Sequence, residues 1–141
     1  MATEKLHLRI ATPDNVKYDD KAEMVIMRCI TGDMGILPRH EATSAILDYG
    51  VLRILNDGGE RRIAVFGGIA QIRDNVVTIL AQDAQWPEDI DIAFAESERD
   101  RMIRRMQESV DSLDIQKDQV LMRRTLVQIE VSTYPLINGT D

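Results

Sequence analysis

The first part of the chain is patterned as short strands separated by turns. Every second residue of 5–10 is apolar, which predicts a half-buried strand, and Pro13-Asp14-Asn15 turns the chain after it. Residues 23–30 are apolar on both faces, which predicts a strand covered on both sides. The further predicted strands are 43–47, 51–55, 61–66, 69–73 and 76–80. This spacing predicts an antiparallel β-sandwich or barrel.

Glycine-containing turns connect these segments. Residues 56–59, Asn-Asp-Gly-Gly, predict a hairpin, and Asp74-Asn75 predicts a tight turn. Gly67-Gly68 predicts a corner where a strand changes sheet or another backbone approaches closely. Residues 31–40 predict a structured loop between two strands, because Gly32 and Gly35 permit positive φ and Pro38 restricts its own φ.

The pattern changes to helical at Trp86-Pro87. Acidic residues come first and arginines later, as suits a helix dipole. The first helix has an apolar stripe at Ile103, Met106, Val110 and Leu113. The second has one at Ile115, Met122, Leu126 and Ile129. Asp114 is predicted to cap the second helix and Tyr134-Pro135 to end it. We therefore predict a β-sandwich over 1–84 and an antiparallel two-helix hairpin over 85–141.

The two stripes are too narrow to bury each other completely. The hairpin therefore needs a third surface, either the sandwich or another protein. Met102, Met106 and Met122 are ordinary core residues that would also suit a stripe packing against two surfaces in turn.

Composition narrows the class of partner and the compartment. Only 4% of the residues are aromatic and the net charge is −7, which disfavours binding to nucleic acid or anionic lipid and favours protein partners. One cysteine, Cys29, and two histidines supply neither an intrachain disulfide nor a structural zinc site. A reducing cytoplasm is expected, with any membrane association made through a partner.

Two groups of residues could carry chemistry or binding. His40 with Asp33 or Glu41 could serve acid–base hydrolysis, but a polar rim on a surface loop is the favoured interpretation because no nucleophile motif accompanies them. The pairs Arg104-Arg105 and Arg123-Arg124 fit either a solvated helix face or a surface that meets an acidic partner.

Residues 32–40, Gly-Asp-Met-Gly-Ile-Leu-Pro-Arg-His, are followed by Tyr49-Gly50, Phe66-Gly67-Gly68 and, at 76–81, Val-Val-Thr-Ile-Leu-Ala. This ordered set resembles the epsilon subunit of bacterial F-type ATP synthases over residues 6–131. The resemblance implies a non-catalytic rotor subunit that links gamma to the c ring and couples ion translocation to ATP synthesis. It would be peripheral, at the cytoplasmic face of the cell membrane. The contact residues implied for gamma and the c ring are Asp33, Ile36, Leu37, Arg39 and His40.

The resemblance also implies that the hairpin inhibits ATP hydrolysis by approaching the beta subunit, within the alpha–beta catalytic assembly. Arg123 and Arg124 match the basic cluster of the second helix, and Arg104 and Arg105 are further candidates for this contact.

Some family members bind ATP on the hairpin through an Ile-Asp-x-x-Arg-Ala motif. Asp91, Arg101 and Arg124 match positions of that site. Phe94 and Gln128 stand where arginines belong, and the loss of two cations removes charge-assisted contacts to polyphosphate. We expect ATP binding to be weak or absent and no cofactor to be required. The alternative function is a stand-alone nucleotide-sensing module.

Overall fold

The computed structural model describes residues 4–108 and 112–137, with side chains for all of them except 112–114 and 134–137. The chain divides into two compact units, Met1–Ala84 and Gln85–Asp141. The strands are β1 Leu6–Ala11, β2 Val16–Ala22, β3 Met24–Cys29, β4 Gly32–Ile36, β5 Thr43–Asn56, β6 Gly59–Arg73, β7 Val76–Ala81 and β8 Ala84–Gln85. A 3₁₀ turn at Pro87–Asp89 precedes the helices α1 Ile92–Glu108 and α2 Ser112–Ile137. Strands followed by two helices confirm the predicted fold class.

The strands form one continuous sheet in the order β2-β1-β7-β6-β5-β3-β4, with β8 also paired to β6. β1 and β7 run parallel, and the other mapped neighbours run antiparallel. One part of β6 pairs with β7, whereas β3 pairs mainly with the opposite end of β5. The long β5–β6 ladder is thus shared by both layers of the sandwich.

β5 and β6 are single strands, so the prediction of two short segments in each was wrong. Asp48-Tyr49-Gly50 bends β5 without ending it, and Gly50 stays opposite Val65. Gly67-Gly68 is the predicted corner in β6. Gly68 has φ +136°, and a Cβ there would lie 2.2 Å from the Leu80 carbonyl oxygen. The backbones approach too closely at this corner for a side chain at Gly68, and the β5–β6 register is the same on both sides of it.

Two strands lie where the sequence predicted none. β2 pairs with β1, and Ala22 lies opposite Leu6. The charged residues of β2 hide the apolar–polar alternation that would predict a strand. β4 occupies half of the segment predicted as a loop, because Gly32 turns the chain back beside β3. Gly35 does not have the predicted positive φ. A Cβ there would lie 2.8 Å from the Met24 methyl group, so the end of that flexible side chain would have to move.

The other turns follow the sequence signals. Asn56 lies opposite Gly59, which confirms the hairpin between β5 and β6. Asp74 and Asn75 both have positive φ, which confirms the tight turn between β6 and β7. The largest side chains of the sandwich core are at most 1% exposed; they include Leu6, Leu8, Ile10, Met27, Ile36, Ile63, Phe66 and Ile79.

The helical unit begins later than the acidic cluster suggests. Residues 87–89 form the 3₁₀ turn, and α1 starts after Asp91, whose side chain accepts a hydrogen bond of 3.0 Å from the Phe94 N–H. That bond satisfies one of the unpaired donors at the start of the helix.

α2 is longer than predicted at both ends. It begins at Ser112, so Asp114 lies inside it rather than before it, and it continues through Pro135 to Ile137. The prediction that Tyr134-Pro135 ends the helix was therefore wrong by two residues. Gln128 bonds Gln85 near the start of the unit, while Asp118 meets Arg105 near the end of α1, so α1 and α2 are antiparallel.

The predicted stripes are only partly the buried ones. Ile103 and Leu126 are 40% and 47% exposed, whereas Met122 is buried as predicted. Val110 and Leu113 lie outside the residues with described side chains. Among the described side chains of the two helices, the buried ones are Ala95, Met102, Asp118, Met122, Thr125, Val127 and Val131. The sequence pattern missed this face because two of its positions are polar.

Candidate functional site

The structure separates the five residues predicted to contact gamma and the c ring. Ile36 is fully buried at the end of β4, so its prediction as a contact residue is wrong: its side chain belongs to the core. Asp33 lies near the other end of β4, with about 10 Å of strand between the two residues. The Asp33 carboxylate is exposed and lies 3.7 Å from the Arg28 guanidinium, across the β3–β4 pair.

Leu37, Arg39 and His40 share the loop that follows β4. Leu37 is 57% exposed. Arg39 has φ 63°, and its N–H donates to the Asn75 side chain at 2.9 Å. Its guanidinium donates two hydrogen bonds to the Glu4 carboxylate, of 2.6 and 3.0 Å. These hydrogen bonds lower the pKa of the Glu4 carboxyl. The loop is thus anchored to the chain start and to the β6–β7 turn.

The structure does not assemble the hydrolytic group considered from sequence. His40 Nδ1 lies 2.8 Å from the backbone oxygen of Glu41, a contact within its own loop. Asp33 pairs with Arg28 at the far end of β4. Their placement agrees with the interpretation of a polar surface loop.

The outer face of the sheet carries a row of exposed aliphatic side chains that the sequence analysis missed. The register places Ile46 opposite Ile69, Ile69 opposite Leu80, Leu80 opposite Ala11 and Ala11 opposite Val16. The exposed fractions are 57% for Ile46, 43% for Ile69, 47% for Leu80 and 46% for Val16. We call these five residues the apolar row. It runs in continuous register across β5, β6, β7 and β1, and Val16 of β2 adjoins it past a register shift between Ile10 and Ala11.

The next row on the same face is polar. It runs through Ser44, Gln71, Thr78, Arg9 and Asp19, each opposite the next. An apolar row with a polar neighbour is the composition of a protein-binding surface rather than of randomly scattered exposed aliphatics. The sequence of β7 contained a signal for this row. Ile79 and Leu80 are consecutive and both apolar, although only one of them faces the core.

The four arginines predicted to contact the beta subunit lie on both helices. Arg104 and Arg123 are exposed, and Arg124 is half-buried. Arg105 lies 3.5 Å from the buried Asp118 carboxylate. These residues give the helical unit basic positions within a protein whose net charge is −7.

The positions matched to a nucleotide site have local partners. Asp91 caps α1, and Arg101 makes two hydrogen bonds to Glu98, of 2.7 and 3.1 Å. This pairing lowers the pKa of the Glu98 carboxyl. Phe94 is 62% exposed, and Gln128 donates to Gln85 at 2.8 Å. Neither of these two residues supplies the cation that polyphosphate would need at its position.

The described residues, 4–108 and 112–137, offer neither a metal site nor a membrane-spanning helix. They contain no group of three or more histidine, cysteine, aspartate or glutamate residues arranged to hold a metal ion. Within the same residues, neither α1 nor α2 has a stretch long and apolar enough to cross a membrane.

Comparison with known proteins gives a consistent result. The family described as ATP synthase, Delta/Epsilon chain, beta-sandwich domain matches residues 5–87. The ATP synthase epsilon chain of Bacillus subtilis is 40% identical over 132 residues, covering 94% of this chain and 98% of the relative. The ATP synthase epsilon chain of Halalkalibacterium halodurans is 34% identical over 128 residues, covering 90% and 96%.

Solved structures show the same fold. A chain in the cryo-EM structure of the Euglena gracilis mitochondrial ATP synthase matches with a TM-score of 0.72 and 22% identity, covering 96% of this chain and 81% of that one. A chain of the Tetrahymena thermophila mitochondrial ATP synthase central stalk and c ring matches with a TM-score of 0.59 and 14% identity. The first unit carries the family's β-sandwich, and the relatives align over nearly their whole lengths, so this chain belongs to the ATP synthase epsilon chain family.

Proposed function

We propose that this chain is a non-catalytic central-stalk subunit of an F-type ATP synthase, held at the cytoplasmic face of the cell membrane by its partners. The β unit binds the gamma subunit and contacts the c ring, so that ion translocation is coupled to ATP synthesis. The helical unit restrains ATP hydrolysis by the alpha–beta catalytic assembly. Family membership supports the complex, and the apolar row is the observation that carries the docking surface.

The apolar row fits gamma better than it fits solvent. Ile46, Ile69 and Leu80 are 43–57% exposed and lie side by side on three neighbouring strands, so covering them removes a continuous apolar area from water. The c-ring contact is assigned to Asp33 and to the loop of Leu37, Arg39 and His40. Asp33, Leu37 and Arg39 are exposed, His40 is half-buried, and only Leu37 is apolar. Such contacts determine orientation more than affinity.

A pair of variants on one strand tests the docking surface. Leu80→Asp puts a charge into the apolar row, and we expect it to weaken binding of the full-length protein to gamma at least 30-fold, about 2 kcal/mol. Val76→Asp is the matched control, because Val76 lies on the same face of β7 and is 38% exposed but is opposite His7 and Arg73. We expect it to change affinity less than threefold. If circular dichroism showed that both variants were folded and their effects on gamma binding were equal, the apolar row would be excluded as the docking surface.

The arginines of α2 test the regulatory part. Changing both Arg123 and Arg124 to alanine removes the basic cluster from one helix, and the ATP hydrolysis rate of the assembled complex should rise at least twofold. Lys117→Ala removes an exposed positive charge elsewhere on α2 and should leave the rate unchanged. An unchanged rate with the double variant bound in the complex would refute inhibition through these residues.

A further inference from the structure

The helical unit buries an acidic residue that the functions proposed above do not use. Asp118 of α2 is 2% exposed, and its carboxylate lies 3.5 Å from the Arg105 guanidinium of α1. Hydrogen bonds between guanidinium and carboxylate groups are normally about 2.7–2.9 Å long. Half of the Arg105 side chain is exposed, so water screens the attraction that would offset the burial of the carboxylate.

Asp118 is the first of three polar residues spaced by seven along α2. Thr125 is 5% exposed, and the Ser132 hydroxyl is buried without a hydrogen-bond partner in the described part of the chain. Seven residues are nearly two helical turns, so the three side chains share one face with a drift of about 20° per repeat. The ion pair between Asp118 and Arg105 shows that this face is turned toward α1.

Apolar residues complete the contact between the helices. Met102 of α1 is 3% exposed and Met122 of α2 is 9% exposed. The contact therefore combines methionines, which tolerate repacking, with polar groups whose burial is unfavourable unless they are fully paired. Such a contact can close, but it does so with a small free-energy difference between the paired and separated helices.

We propose that Asp118 weakens the closed hairpin and that Arg105 is the residue that makes closure possible despite it. Separation of the helices returns the Asp118 carboxylate to water and frees Arg105. This inference rests on the proposed function in one respect: Arg105 is among the arginines assigned to the beta subunit, and in the closed hairpin it is held by Asp118. The Asp118–Arg105 pair then links closure of the hairpin to the loss of a basic residue from the contact with the beta subunit.

Variants of the two partners of this ion pair should have opposite effects. Arg105→Met removes the cation paired with the buried carboxylate, so closure becomes less favourable. Asp118→Asn removes the charge with little change in volume, and Asp118→Leu replaces the carboxylate by an apolar side chain; both make closure more favourable. Hydrogen–deuterium exchange of the full-length protein measures this. The amides of 95–106 and 118–131 are bonded within their own helices, and separated helices lose the packing that stabilises them, so exchange becomes faster.

We expect exchange in these segments to be at least tenfold faster in Arg105→Met and at least threefold slower in Asp118→Asn and Asp118→Leu. Arg104→Met and Glu96→Gln change neighbouring exposed charges and should alter the rates less than twofold. Faster exchange in both Arg105→Met and Asp118→Asn would show that the pair stabilises closure and would overturn the proposal. So would rates that match those of the two controls.

The exchange result is independent of the assembled enzyme. If the hairpin also regulates hydrolysis, Asp118→Asn favours the closed form and should raise the ATP hydrolysis rate of the complex. A shift in exchange without a change in hydrolysis would leave the assignment of Asp118 in place and contradict the regulatory part of the proposed function.

Discussion

The two units of this chain bury different kinds of residue. The core of the β unit is apolar, with Leu8, Ile10 and Ile79 inaccessible to solvent. The buried polar residues found among the described side chains, Asp118 and Thr125, both lie in α2. An apolar core fixes one arrangement with a large free-energy gap, whereas a polar helix contact leaves a small one. This difference fits the docking role proposed for the β unit and the regulatory role proposed for the helical unit.

The largest expected effect comes from the corner that bends the β5–β6 ladder. Gly68→Ala places a Cβ 2.2 Å from the Leu80 oxygen at φ +136°, and we expect the free energy of unfolding to fall by about 4 kcal/mol. Gly32→Ala is the control, since Gly32 has φ +121° but no atom within 4 Å of an added Cβ. Gly32→Ala should lower the free energy of unfolding only through the strained backbone conformation, by about 1–2 kcal/mol.

Urea unfolding followed by circular dichroism distinguishes the two glycine variants. A large difference between them measures the close approach at the corner separately from the strained φ. If both variants lost the same stability, the steric contribution at Gly68 would be absent and the bend of β6 would not depend on it.

A comparison of two buried residues would show whether the units open independently. Ile79→Ala removes a fully buried side chain of the β unit and should cost about 3 kcal/mol; Met102→Ala, at the helix contact, should cost about 2 kcal/mol. Hydrogen exchange should speed up mainly in the β unit for the first and only in 95–106 and 118–131 for the second. Faster exchange throughout the chain in Met102→Ala would mean that the two units open together.

Local signals in the sequence determined most of the fold. Residues 56–59 and Asp74-Asn75 encode their turns directly, and the corner at Gly67-Gly68 follows from two consecutive glycines. β2 escaped prediction because it is a charged edge strand whose burial depends on β1 rather than on its own pattern. β5 was not predicted as a single strand because it contains Gly50, and glycine weakens a strand interior. Here Gly50 makes room for the Arg28 side chain.

The candidate site was less predictable because it depends on register. Ile36 and Leu37 are adjacent and chemically alike, yet one is buried and the other is exposed. The apolar row joins residues that lie as far apart in sequence as Ala11 and Leu80, and only the pairing of β1 with β7 brings them together. Asp118 looked like an ordinary charged helix residue, since its burial follows from how α2 is rotated against α1.

The smallest effect concerns an acid of the β unit that contrasts with Asp118. Hydrogen bonds from Arg53, at 2.8 and 3.1 Å, hold the pKa of Glu60 below its ordinary 4.5, and the nearby Arg62 lowers it further. A lowered pKa stabilises the fold above about pH 4.5, and this stabilisation is lost as the pH falls through the folded-state pKa. Glu60→Gln should therefore be about 1 kcal/mol less stable than the wild type at pH 7, and the difference should vanish near pH 2. Glu4→Gln is the control, because the ion pair of Glu4 is exposed, and it should show a weaker dependence. Urea unfolding at pH 7, 4 and 2 measures both variants.

A carboxylate held at hydrogen-bond distance by arginine stabilises its unit, whereas Asp118, with its cation 3.5 Å away and half-exposed, weakens the contact it belongs to. If Glu60→Gln matched the wild type at every pH, close pairing would not be what distinguishes the two acids.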